Sequence, residues 1–131
     1  MAFSDYVENA VLGHVFGSTT FAKPAGRFLA LFTTSPGDAN AGTEVSTTST
    51  GYARQSVAWT VSGTSPTSAT NTAAIEFASA TAAWGTVTHV GVYDTVTGGN
   101  LLAWAPLTTS KTVSAADIFR VPASNLIITL D

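Results

Sequence analysis

Cysteine is absent from all 131 residues. That excludes disulfides, thiolate metal centres and thiol nucleophiles, and it leaves the redox compartment open. Charge is the second scarcity. Asp, Glu, Lys and Arg make up 10% of the chain, against about 25% in an ordinary soluble domain. A free monomer stays dispersed by covering itself with charge. A surface this poor in ions is therefore expected to meet other protein, copies of itself included. The five basic residues, Lys23, Arg27, Arg54, Lys111 and Arg120, are dispersed, and the net charge is -3. Without a clustered cationic field, nucleic acid is excluded as a partner. No stretch approaches the ~20 apolar residues of a membrane span, so no membrane partner is expected either. Met1 to Gly17 lacks a cationic start and carries Asp5 and Glu8, unlike an export signal. Synthesis in the cytoplasm is the expectation.

What is present is apolar, at 45% of residues, with Thr, Ser, Gly and Asn making up much of the rest. By size the chain reads as one domain, residues 1–131. An N-terminal helix is expected within 3–17, its body at 4–16. Ser4 can cap it by accepting from an amide of the first turn. Asp5 and Glu8 suit the positive end of the helix dipole. Phe3, Val7, Ala10, Val11, His14 and Val15 recur at helical spacing as one apolar stripe, and Gly17 is a natural stop.

Beyond the helix the pattern is β. Arg27 to Thr33 is apolar on both faces, as in a strand covered on two sides. Residues 35–51 are rich in Gly, Asn, Ser and Thr and read as a long loop. Tyr52 to Ser62 alternates, with Val57, Trp59 and Val61 on one face. A turn over Ser62 to Ser68 leads into a strand over Ala69 to Ala78. Gly85 to Thr95 and Asn100 to Leu107 flank Thr97-Gly98-Gly99-Asn100, a hairpin signal, with Pro106 expected at a strand end or sheet edge. Lys111 to Val113 and Ile118 to Val121 read as short strands about a turn, and Leu126 to Leu130 as the last strand. Seven or eight short antiparallel strands must bury their apolar faces against a second sheet. The expected fold is mainly β, a jelly-roll-like β-sandwich with one N-terminal α-helix. No repeat or heptad suggests a shaft or solenoid.

Nothing in this pattern carries chemistry. His14 lies on the helix stripe, where a packed or interface role is expected. His89 and Asp94 could be written into a triad with one of many serines, but no Gly-x-Ser-x-Gly elbow exists to nominate one. The two histidines have no metal-ligand spacing. Asp38, Asn40 and Glu44 lack the alternation of a calcium loop, so the loop is expected to be solvated. Glu76, between Ile75 and Phe77, is expected to pair with Arg54 or Arg120, or else to face solvent or a neighbouring subunit. Burial is expected for Trp59, Trp104, Tyr52 and Tyr93. Trp84, after the small residues Ala80 to Ala83, is the candidate for a loop edge and a glycan contact. The reading is therefore of no enzyme, with no catalytic, cofactor-binding or metal residues and no cofactor.

Two segments carry a resemblance. They are Trp84-Gly85-Thr86-Val87-Thr88-His89-Val90-Gly91-Val92-Tyr93-Asp94 through Gly98-Gly99-Asn100-Leu101-Leu102, and Lys111-Thr112-Val113 through Leu126-Ile127-Ile128-Thr129-Leu130. With the capped helix and the Phe-Leu-Ala-Leu-Phe-Thr strand, they resemble a family of small tailed-bacteriophage virion proteins, commonly labelled tail-fibre proteins. The resemblance implies a non-enzymatic structural part of a phage particle. It also implies a virion location and, as partners, the major capsid protein or tail proteins. Fibres are usually long, trimeric and built on repeated shafts, none of which this chain has. Capsid decoration (cement) therefore ranks first as an expectation, with a tail or tail-fibre role in host attachment second. The N-terminal helix or the 35–51 loop is expected to make the contact, the loop ordering only against its partner.

Overall fold

Phe28–Phe32 (β2) is apolar at each position, and that is what the centre of this protein requires. Leu29 and Leu31 point into one apolar cluster and Ala30 and Phe32 into another, on the opposite face of the same sheet. The computed structural model describes residues 1–64 and 67–130. Besides β2 these residues form β1 (Ala2–Phe3), α1 (Asp5–Val15), β3 (Gln55–Ser56), β4 (Trp59–Ser62), β5 (Thr67–Asn71) and β6 (Ile75–Glu76). They continue as β7 (Gly85–Tyr93), β8 (Leu101–Val113), β9 (Arg120–Val121) and β10 (Ile127–Leu130). A five-stranded sheet runs in the order β1-β8-β7-β2-β3, and smaller sheets run β10-β5-β4 and β6-β9. Every pairing is antiparallel. The larger cluster draws Leu29, Val90, Val92 and Leu102 from the large sheet and Ile75 and Val121 from the small one, so the sheets sandwich one core.

Two expected strands are broken where the chain passes between sheets. Residues 52–62 divide into β3, paired with β2, and β4, paired with β5. At the crossing the Val57 amide donates to Arg27 O at 2.8 Å. Exposure then rises along the expected face, from buried Val57 to Val61 at 69%. Residues 69–78 divide similarly into β5 and β6. Fully buried Asn71 holds that corner. Its Nδ2 donates to Ala73 O and Pro122 O, and its Oδ1 accepts from the Leu126 amide, each at 2.9 Å. One amide side chain thus satisfies three backbone groups that leave the ladders here. The expected turn over Ser62 to Ser68 joins β4 to β5, and its residues 65 and 66 lie outside the described residues.

The hairpin forms as the glycines require. Gly98 and Gly99 have φ of +60° and +74°, values that side-chain-bearing residues adopt only at a cost. Gly91 in β7 has a different role. A Cβ there would meet Leu101 Cδ1 at 2.8 Å and Phe32 Cε2 at 2.9 Å, so its absence lets the second cluster close over the sheet. The second strand of the hairpin departs from expectation. Asn100 to Leu107 and Lys111 to Val113 are one strand, β8. Pro106 does lie at a sheet edge, past the Ala2–Trp104 pairing that ends β1, but it does not end the strand. His89 pairs with Pro106 and Val87 with Lys111. Residues 107–110 therefore bulge against Thr88.

The helix is shorter than 3–17. Ala2–Phe3 pairs with β8, and Ser4 caps the helix from there, its Oγ accepting from the Val7 amide at 3.4 Å. The cap is itself anchored, since the Ser4 amide donates to Leu102 O at 3.1 Å and its hydroxyl to Leu101 O. Of the expected stripe, only Val7 is buried within the helix. The helix is seated at its N-terminal end, and Val11 and Val15 are exposed.

Candidate functional site

The densest polar constellation is built around Arg54. Its side chain is 7% exposed and that of Glu44 25%. Arg54 Nε and Nη2 donate to the two Glu44 carboxylate oxygens at 2.8 and 2.7 Å, a bidentate fork. Arg54 Nη1 donates to Thr95 O at 3.0 Å and Gly98 O at 2.7 Å, bracing the hairpin turn. The guanidinium carbon lies 3.5 Å from the centre of the Tyr93 ring, a cation–π contact strengthened by exclusion of water. The Tyr52 hydroxyl donates to Glu44 Oε1 at 2.8 Å and accepts from the Leu31 amide at 3.0 Å. The Tyr93 hydroxyl donates to Asn40 Oδ1 at 2.6 Å.

Burial raises the Tyr52 phenol well above its ordinary range, with further upward pushes from Glu44. Burial also raises Tyr93, against the opposing pull of Arg54. For Arg54 burial works against the charge, but hydrogen bonding and attraction from Glu44 outweigh it and leave the guanidinium above its usual value. A phenol whose folded-state pKa is raised holds its proton longer folded than unfolded. Its contribution is complete below about pH 10, the unfolded value, and is lost as pH rises toward the folded value. We expect the melting temperature to fall steeply above about pH 10, and a Tyr52→Phe/Tyr93→Phe variant to fall less steeply there, as read by scanning calorimetry against pH.

This constellation corrects the expectation of a solvated loop that waits for a partner. Residues 35–51 are tied to their own domain. Asn40 and Glu44 are engaged as above, and Asp38 Oδ1 accepts from Trp104 Nε1 at 2.8 Å. The buried Val45 amide donates to Leu31 O at 2.9 Å. Sequence reasoning grouped Asp38, Asn40 and Glu44 as oxygen ligands, whereas each accepts a different aromatic or guanidinium donor. Among the described residues no group of three His, Asp or Glu side chains is placed to hold a metal ion.

The other candidates do not converge. His89 Nδ1 is 2.8 Å from Thr88 Oγ1, and its ring is 6.0 Å from that of Trp104. Asp94 lies five residues on, about 17 Å along an extended strand, and its carboxylate accepts from the Asn100 amide and Nδ2 at 2.8 and 2.9 Å. His14 is exposed, its Nδ1 accepting from the Phe21 amide at 3.2 Å. Glu76 pairs with Arg120 at 3.8 Å, both side chains more than half exposed, while Arg54 pairs elsewhere.

Trp84 overturns its expectation. It is buried, its Nε1 donates to Thr50 O at 2.8 Å, and its ring meets those of Tyr52 and Phe77 edge-on at 5.4 and 6.1 Å. It therefore offers no platform to a glycan. Sequence reasoning also missed a groove of about 390 Å³ between the Phe21–Arg27 segment and β4, β5 and β10. A wider cleft of about 840 Å³ lies between the end of β8 and residues 117–127, bordered by Lys111, Asp117, Arg120 and Asn125.

The histidines and carboxylates described above brace turns and loops, and the remaining features are grooves and apolar faces. That combination belongs to a small, mainly β domain. The chain belongs to the family described as "Podophage GP4 fiber I protein gp80", whose match spans residues 2–129. It is accordingly a structural component of a tailed-phage particle. No curated protein is significantly similar to it in sequence.

Proposed function

We propose that the chain is a non-enzymatic, self-associating fibre component of the phage tail that takes part in host attachment. The observation that carries this reading is the match of nearly the whole chain to a family described by the word fiber. It reverses the order expected from sequence, in which capsid cement stood first. Among the described residues the fold has no repeated shaft, so the role that suits it is a knob or collar from which a fibre is held or presented. Such a part works by number, because many modest contacts engaged together on one assembly add up. A surface with few ions supports close protein contact, since little charge has to be desolvated. The engagement of Glu44, Asp94 and His89 in structural hydrogen bonds supports a role without catalysis.

Gold labelling of intact particles with an antibody to this protein is expected to mark one end. Particles lacking the protein should adsorb poorly to host cells yet withstand heat and osmotic shock as complete ones do. Label spread over the whole head, with particles that burst more readily when the protein is missing, would instead establish cement.

A further inference from the structure

Helix α1 presents a face its own domain does not use. At about 100° per residue, Asp5, Glu8, Val11, Leu12, Val15 and Phe16, the last at the C-cap, fall within an arc of about 140°. All six are exposed, with Leu12 at 59%, Val15 at 60% and Phe16 at 84%. The face is acidic over the first turn and apolar over the rest. Contiguous apolar surface of this kind on a protein with few charges marks a contact site.

The groove beside β4, β5 and β10 has the opposite character. Trp59, Val61, Ala69 and Ile128 give it an apolar lining, with Lys23 and Arg27 among the residues that border it. Among the described residues neither cation has a carboxylate within ion-pair distance, since the pairs present are Arg54–Glu44 and Arg120–Glu76. Arg27 spends one guanidinium nitrogen on Pro24 O at 3.1 Å. Among the described residues the Trp59 indole N–H is withdrawn from solvent and has no acceptor, which disfavours the isolated domain. The groove thus offers two uncompensated positive charges beside an apolar lining. Its complement is a surface with carboxylates at one end and bare hydrocarbon at the other.

We propose that copies of this chain associate by seating the outer face of α1 of one copy in this groove of the next. Asp5 and Glu8 meet Lys23 and Arg27, and Val11, Leu12, Val15 and Phe16 cover the apolar lining. The two surfaces differ, so each contact leaves one free face and one free groove, and association proceeds until the arrangement closes on itself. The inference rests on the self-association in the function proposed above and names its surfaces.

The test is the mass of the full chain by light scattering across micromolar concentrations. The wild type is expected to form a discrete oligomer, larger than the 13.4 kDa chain. Glu8→Lys and Lys23→Glu each place like charges together and should weaken association by about tenfold or more. Phe16→Ser should weaken it as well. Both charge sites are exposed, so circular dichroism below the melting transition should match the wild type and exclude misfolding. The decisive arm is the double variant Glu8→Lys/Lys23→Glu, which restores opposite charges across the contact and should recover the oligomer. A wild type that stays monomeric, or a double variant no better than the singles, overturns the pairing. Neither result bears on where the protein sits on the particle, which the labelling experiment reads separately.

Discussion

Trp84→Ala is expected to lower the unfolding free energy by about 3–5 kcal/mol, the range for truncating a large buried aromatic. The ring is 5% exposed and is held edge-on by Tyr52 and Phe77, with Phe119 edge-on to Phe77 at 5.8 Å. Removing it opens a cavity in that aromatic cluster and also takes away one of the two donors to Thr50 O, leaving only the Thr81 amide. Both losses act on the core. In a domain of this size the midpoint should fall by more than about 10 °C. Trp84→Phe keeps most of the volume and gives up the hydrogen bond, so its loss should be smaller. Urea denaturation of the three proteins would check the order. A Trp84→Ala protein as stable as the wild type would contradict the packing and revive a surface role for this ring.

Arg54→Ala should cost about 3 kcal/mol, the lower end of the range for breaking a buried pair from one side, because the Glu44 carboxylate keeps some contact with solvent. The substitution also removes the two hydrogen bonds to the hairpin turn and the contact with the Tyr93 ring. The Glu44→Gln/Arg54→Met double variant leaves no stranded charge and should be less destabilised than the single one. Arg120→Ala serves as the control. Its partner Glu76 is exposed at 3.8 Å, and the change should stay within about 0.5 kcal/mol. Hydrogen exchange would localise the effect, with the Val45 amide, bonded to Leu31 O, losing protection in Arg54→Ala but not in Arg120→Ala.

These two side chains show how far residue patterns reach. The all-apolar run at β2 could be read directly, because burial on both faces leaves no polar position in a strand. The two-glycine turn of the β7–β8 hairpin was legible for a similar reason, since the local backbone conformation restricts the residue type. The Ser4 cap followed from the same kind of local rule. Trp84 was misread because small neighbours such as Ala80 to Ala83 suggest a loop edge, and only the positions of Tyr52 and Phe77 show that the ring itself lies in the core. The strands at 52–62 and 69–78 were read as continuous. Their alternation persists through the corner, and nothing local announces that Val57 pairs back to Arg27 or that Asn71 bridges to Pro122 and Leu126. The polar residues of the 35–51 loop were invisible as a lock for the same reason, because Tyr93 and Trp104 are distant in sequence.

The residues alone determined a mainly β chain with a capped N-terminal helix, without thiol or clustered cationic chemistry, and with few charges. Those properties follow from composition and short-range periodicity, each a sum over neighbouring positions. Tertiary structure decided that the long loop is bound to its own body, that Trp84 is core, and that half of the expected helix stripe is exposed, on a chain whose apolar groove is bordered by Lys23 and Arg27. Such outcomes depend on which distant segments meet, and contact between residues far apart in sequence leaves no local trace.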